Sequence, residues 1–190
     1  MPRTFFALTL PRKLRARLVE EEERLAVSGQ RVSWVESDNL HLTLRFVGEV
    51  LDRDLVEVMR AGERAFEGLR AINLVVVGLQ GSPSMEDLRV IHCGVRGAEE
   101  ADELRLRELR ARLDQELSSC GWRPERGQWK PHITLGRVRK GEKQQVLAEK
   151  MGPAVRREFG HFVGREAGLF QSFEHPDGVT YTPLQHYVMR

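Results

Sequence analysis

The sequence predicts an α/β (α+β) fold: bilobal, duplicated about a pseudo-two-fold axis, each lobe a mostly antiparallel sheet with helices on its outer face, and a cleft between the lobes. Three observations predict it. Segments with period-2 alternation take turns with segments of helical period. The element order of the first half returns in the second. Two similar tetrapeptides, His41-Leu42-Thr43-Leu44 and His132-Ile133-Thr134-Leu135, stand 132 − 41 = 91 positions apart, and VGLQGS (77–82) and AGLFQS (167–172) are offset by about the same amount.

The elements follow in order. Residues 4–10 are apolar and aromatic-rich, end at Pro11 and read as a buried strand. Residues 12–27 carry Leu14, Leu18 and Leu25 among charges, an amphipathic helix that stops near Gly29. Residues 32–36 form a short strand, and 39–47 alternate as a strand up to Gly48. A helix spans 52–66, with Leu55, Val58 and Met59 on one face and Gly68 just past its end. The β-branched run 72–79 is a strand. The order then repeats: strand 89–95, helix 98–117, strand 132–138, a shorter helix 144–150, and a strand or bent strand pair over 161–173. His175-Pro176-Asp177-Gly178 is a turn signal, and 179–188 closes a hairpin. Residues 1–190 are expected to form one domain, with repeats at about 3–82 and 89–173 and the hairpin running on to 190.

Composition narrows the function classes. At 41% hydrophobic and 31% charged residues the chain reads as an ordinary globular domain. No apolar run approaches the roughly 20 residues of a membrane span. The N-terminal stretch lacks a secretory h-region, so a cytoplasmic protein without membrane association is expected, and a monomer. Cys93 and Cys120 fit neither a metal knuckle nor a redox pair and are expected as free thiols. A net charge of +2 excludes a wholesale polyanion binder, yet Arg123, Arg126, Lys130, Arg137, Arg139 and Lys140 face only Glu125 within one stretch.

The repeated His-x-Thr-x element carries the chemistry. In a strand, residues i and i+2 share a face, so His41 lies beside Thr43 and His132 beside Thr134. Leu42, Leu44 and Phe46, and Ile133 and Leu135, are expected on the opposite face as anchors. If a two-fold relates the halves, the polar faces meet and bring two imidazoles and two hydroxyls to one point. That set suits in-line displacement at phosphorus: one imidazole takes a proton from the attacking water, the other gives one to the leaving ribose oxygen. The threonine hydroxyls donate to the non-bridging oxygens. A single such motif is usually a structural histidine; two copies at equivalent points of a repeat shift the balance towards catalysis. The residues alone leave open which histidine is the base. Two histidines without further ligands do not fill a zinc site, so neither metal nor cofactor is expected. His92, His161, His175 and His186 show no shared pattern.

These motifs and their flanks resemble the two-histidine phosphoesterases, and within them the bacterial and archaeal RNA 2′,3′-cyclic phosphodiesterases, historically called 2′-5′ RNA ligases. The resemblance covers nearly the whole chain. It rests on Phe5-Phe6-Ala7-Leu8 with Leu10-Pro11, on Asn39 to Gly48, on Lys130-Pro131-His132-Ile133-Thr134-Leu135-Gly136-Arg137, and on the tail from Gly178 to Leu184 with Tyr181. The loop 82–88, with Glu86 and Asp87, is more acidic than the family pattern. The resemblance implies metal-independent hydrolysis of RNA 2′,3′-cyclic phosphate ends to 2′-phosphates. It implies His41 as proton donor, His132 as proton acceptor, and Thr43 and Thr134 as phosphate-oxygen donors. Reverse 2′-5′ ligation follows if acid and base exchange roles.

Candidate substrate-binding residues surround this core. Simple alternation puts Arg45 on the face of His41 and Thr43, within reach of phosphate. It puts Arg137 on the face opposite His132, so that a bulge is needed to bring it round. Lys130, Arg126 and Trp129 complete the set, Trp129 as a stacking surface and Trp34 more as packing. Two alternatives stay open: a phosphodiesterase for small cyclic nucleotides or ADP-ribose cyclic phosphate, and a non-catalytic RNA-end binding module.

Overall fold

The computed structural model describes residues 2–26, 31–139, 144–175 and 178–190. Lys140, the end of the first predicted helix at 27–29, and residues 176 and 177 of the predicted turn lie outside them. The elements are β1 (Arg3–Thr9), α1 (Arg12–Ala26), β2 (Val32–Trp34), β3 (His41–Glu49), α2 (Asp52–Phe66), β4 (Ile72–Pro83), β5 (Leu88–Gly97), α3 (Glu100–Ser119), β6 (His132–Val138), α4 (Gln144–Met151), β7 (Glu158–Gly164), β8 (Glu166–His175) and β9 (Gly178–Val188). The predicted strand over 161–173 is thus the pair β7 and β8, broken at Arg165.

Among the described residues the nine strands join one sheet in the order β7-β4-β5-β6-β3-β1-β8-β9, with β2 paired to β6. Every pairing is antiparallel. The order is a palindrome about the seam between the motif strands β6 and β3. β5 and β1 flank the seam, then β4 and β8, then β7 and β9. The two arms therefore do not coincide with the two halves of the sequence. β4, from the first half, lies in the arm of His132, and β8, from the second, lies in the arm of His41.

The helices cover the back of the sheet. α1 packs on β6 and β7, and α3 on β3, β4 and β5, while α2 lies against α3 and β9. Leu42, Leu44, Ile133 and Leu135 are all fully buried on this side. Each contributes about 1.5–3 kcal/mol of apolar burial, which fixes which face of each motif strand is left for the cleft. Gly62, in the middle of α2, is there for close approach: a Cβ would sit 2.5 Å from Tyr187 Oη and 2.6 Å from Phe6 Cε1. Among the described residues no helix is long and apolar enough to cross a membrane. Cys93 and Cys120 are free thiols, and burial pushes the Cys93 thiol well above its ordinary range.

Both motif strands carry a bulge at the same point. The β1–β3 register runs from Ala7↔Thr43 to Phe6↔Arg45, and the β5–β6 register from His92↔Thr134 to Ile91↔Gly136. The extra residues are Leu44 and Leu135, again 135 − 44 = 91 apart. Beyond each bulge the alternation of faces is reversed. Arg45 therefore turns back towards the helices and is 2% exposed, while Phe46 turns out to the cleft side and is 47% exposed. At Gly136 the reversal brings the strand under β2, where a Cβ would lie 2.7 Å from Val32 Cγ1 and 2.8 Å from Trp34 Cε3.

Candidate active site

The seam places the two motifs side by side. β3 and β6 pair through Leu42↔Ile133, and this antiparallel register sets His41 level with Thr134 and Thr43 level with His132. With the leucines and Ile133 buried behind, all four polar side chains stand on the cleft face, each partly buried.

Each imidazole is anchored in the same way. Nδ1 of His41 lies 2.6 Å from the carbonyl oxygen of Asn39, and Nδ1 of His132 lies 2.8 Å from that of Lys130. A carbonyl only accepts, so in both rings Nδ1 carries the proton and Nε2 is left for the cleft. The equivalence ends there. His41 Nε2 lies 3.0 Å from Thr43 Oγ1. Its ring is held between Phe5, centroids 5.0 Å apart, and Tyr181, edge-on at 5.2 Å. Burial in this setting lowers the His41 pKa; the Asn39 carbonyl opposes the shift, and His132 adds to it. His132 has an imidazole for a neighbour, the ring of His92 on β5, with centroids 4.9 Å apart.

The arm of His41 is aromatic. Phe5 is buried beneath Phe46, Phe170 and Tyr181, with centroid distances of 5.8, 5.6 and 5.1 Å. Phe46 and Tyr181 keep exposed surface. A cavity of about 550 Å³ opens beside His41, Tyr181 and Phe170, with Arg15, Asp38 and Gln185 also on its wall. The arm of His132 is polar at the matching depth, with His92 and Ser82 joined by a 2.8 Å hydrogen bond. Arg137 is exposed and, past the bulge, stands on the cleft face. Its charge acts on the Tyr181 phenol across the cleft, opposing the rise in pKa that burial causes there.

Arg45 corrects the expectation from simple alternation, because the bulge removes it from the cleft face. Its Nε donates to Asp114 Oδ1 of α3 at 2.5 Å, and its other nitrogens donate to the carbonyls of Phe46 and of Arg123, the latter at 2.6 Å. Arg110 completes the cluster, with Asp114 at 2.8 Å, Glu125 at 2.8 Å and the carbonyl of Leu44 as acceptors. The two arginines thus satisfy the carbonyls that the bulge takes out of the ladder, and Glu125 ties down the basic stretch. Trp129 is half-buried: its indole N–H donates to the Thr43 carbonyl at 3.3 Å and Arg110 lies over its ring. Lys130 and Arg126 are exposed, and Trp34 packs on Gly136. Phe46, Tyr181 and His92 join the candidate set through the fold. Among the described residues no three His, Cys, Asp or Glu side chains gather as a metal-binding group.

A curved antiparallel sheet whose two central strands present paired His-x-Thr elements to one cleft is the arrangement of a two-histidine phosphoesterase. The model of the 2′-5′ RNA ligase superfamily matches residues 11–171, and the chain belongs to that family. It is 30% identical over 183 residues to a Methanothermobacter thermautotrophicus protein named RNA 2′,3′-cyclic phosphodiesterase, covering 96% of both chains. It is 31% identical over 172 residues to an Aeropyrum pernix protein of the same name, covering 88% of this chain and 92% of the relative. The crystal structure of TT0787 of Thermus thermophilus superposes with a TM-score of 0.78 at 26% identity, covering 99% of this chain and 98% of that one. Escherichia coli LigT complexed with 3′-AMP shares the fold, with a TM-score of 0.75 at 23% identity, covering 100% of this chain and 99% of that one.

Proposed function

We propose that this enzyme hydrolyses RNA 2′,3′-cyclic phosphate ends to 2′-phosphates without a metal, using His41 as proton donor and His132 as proton acceptor. The observation that carries the reading is the matched anchoring of the two imidazoles on paired strands, each with Nδ1–H on a backbone carbonyl and Nε2 towards one cleft. The names of the relatives supply the substrate class.

The reaction is an in-line exchange. His132 Nε2 takes a proton from water, whose oxygen bonds to phosphorus. The bond from phosphorus to the ribose O3′ breaks, and His41 gives O3′ its proton. Thr43, Thr134 and Arg137 donate to the non-bridging oxygens as charge builds. The difference between the arms supports this assignment of roles. The leaving oxygen belongs to a nucleoside, and the aromatic surface of Phe46 and Tyr181 lies in the arm of His41, where a base can stack. The attacking water then lies towards His132, in the polar arm. The lowered pKa of His41 suits an acid once the anionic phosphate sits beside it, because that charge favours the imidazolium. Reverse 2′-5′ joining follows from the same groups in exchanged roles, and the exposed Arg126 and Lys130 extend the path for a polyanion.

The test uses an oligonucleotide ending in a 2′,3′-cyclic phosphate, with products followed by phosphorus NMR in the presence of EDTA. Appearance of the 2′-phosphomonoester, lost in His41→Ala and in His132→Ala, supports the reading. Turnover in either variant at the wild-type rate, or activity abolished by EDTA and restored by zinc or manganese, overturns it. A mononucleotide cyclic phosphate turned over as efficiently as the oligonucleotide would move the substrate to small nucleotides.

A further inference from the structure

His92 belongs to neither motif and has no counterpart in the repeat, yet it stands on the cleft face beside the proposed proton acceptor. β5 sets it opposite Thr134. Its ring lies 4.9 Å from the His132 ring at an interplanar angle of 56°. Its Nε2 is 2.8 Å from Ser82 Oγ, a residue of β4. Its Nδ1 is buried without a hydrogen-bond partner. An imidazolium needs an acceptor at each nitrogen, and this ring has one.

We propose that His92 is a positioning residue for His132: a ring confined to its neutral form by having a single partner, which fixes the angle of the acceptor imidazole by a tilted ring-to-ring contact. The proposal rests on the reading of His132 as the proton acceptor. Two constraints then define the His132 ring. The Lys130 carbonyl holds Nδ1, which leaves the ring free to swing about that bond, and His92 blocks the swing. His41 needs no such device, because Phe5, Tyr181 and Thr43 already enclose it. Neutrality matters because His132 becomes cationic during turnover. A second cation 4.9 Å away would oppose that step, whereas a neutral ring is a tolerant neighbour. Burial and the proximity of His132 push the His92 pKa down to about 4, in the same direction as the hydrogen-bond count. Ser82 acts one step further back by holding the His92 ring upright.

The test compares steady-state kinetics of His92→Ala, His92→Phe and Ser82→Ala on an oligonucleotide with a 2′,3′-cyclic phosphate end, with thermal melting of each variant to show that it is folded. His92→Ala is expected to lower kcat about tenfold while KM stays within about twofold, as misorientation of a reacting group predicts. His92→Phe, which keeps a neutral ring against His132, is expected to recover kcat to within about threefold of wild type. Ser82→Ala should fall between the two. In nitrogen-detected NMR of the wild-type protein, the His92 ring should show no titration between pH 5 and 8. An unchanged kcat in a folded His92→Ala variant overturns the proposal, as does a His92→Phe enzyme as slow as His92→Ala. A loss expressed in KM alone overturns it too, since that belongs to a substrate contact. His132→Ala serves as the control. Wild-type activity there would sink the reading of His132 itself, whereas an inactive His132→Ala beside an unaffected His92→Ala sinks only the role of His92.

Discussion

Phe46 and Arg137 occupy equivalent places on the two motif strands, 137 − 46 = 91 residues apart, each two residues beyond the extra residue of a bulge and each turned to the cleft. One arm thus presents a ring at this position and the other a guanidinium. The two should fail differently. Phe46→Ala removes a stacking surface worth about 1–3 kcal/mol per base, so KM for an oligonucleotide should rise about tenfold with kcat little changed. Arg137→Ala removes the proposed charge-assisted hydrogen bond to phosphate, about 1.5–3 kcal/mol, and should lower kcat/KM by roughly 10- to 100-fold. Steady-state kinetics on one substrate separate the two patterns, and melting curves should show both proteins about as stable as wild type.

Arg45 should behave in the opposite way. It is 2% exposed, and its removal leaves Asp114 Oδ1 and the Phe46 and Arg123 carbonyls without this donor, while Arg110 still holds Asp114 Oδ2. Breaking a buried pair costs about 3–5 kcal/mol. Asp114 is 28% exposed and recovers part of this from water, so about 2–3 kcal/mol is expected for Arg45→Ala. Urea denaturation should show that loss. The KM of the folded fraction should stay close to wild type, and a large rise in KM at unchanged stability would return Arg45 to the phosphate site.

The pH–rate profile reports the burial of His41. Its pKa is lowered in the free enzyme, and as the proposed acid it must carry its proton. The alkaline limb of kcat/KM, which belongs to the free enzyme, should therefore lie below the ordinary imidazole value of about 6.5. The limb of kcat should lie higher, because bound phosphate favours the imidazolium. Coincident limbs, or a kcat/KM limb above about 7, would mean that burial does not govern this acid.

Acid should destabilise the fold through the same rings. A histidine whose folded pKa is depressed lends its full stability above the unfolded value of about 6.5, and loses it as pH falls through the folded value. For His92 the window runs from about 6.5 down to about 4. The melting temperature should fall across that range, and less steeply in His92→Phe. Parallel slopes in the two proteins would exclude His92 as a contributor.

Glu22 has the reverse sign. Burial, with Glu23 adding, raises its pKa to about 8, and Oε1 has no partner. Its contribution is full below the unfolded value of 4.5 and is lost as pH rises through 8. Glu22→Gln should therefore match wild type near pH 4.5 and melt higher at about pH 9, as calorimetry at the two pH values would show.

Much of this was legible in the residues. Period and repeat expose the motif strands, and Leu42, Leu44, Ile133 and Leu135 tell which face is buried. The bulge is half legible. Gly136, alone inside a strand, is the signal for one, and carrying it over by 91 residues points at Arg45. Alternation taken alone assigns Arg45 and Phe46 to the wrong faces, because the residue inserted at Leu44 moves both to the opposite side. His92 is not legible. It is a single histidine whose neighbour lies forty residues on, and only the β5–β6 register brings the rings together. The exchange of β4 and β8 between the arms is hidden for the same reason: a repeat in the sequence fixes what each unit is, not which partner it pairs with.

That exchange bears on how the enzyme is made. β1 pairs with β8, so Arg3 must wait for Ser172. Tyr181 arrives later still. A nascent chain that already carries both histidines therefore still lacks one side of the site. The aromatic wall beside His41 is complete only once Tyr181 has been made, and a premature stop ahead of it would leave both motifs intact and that wall open.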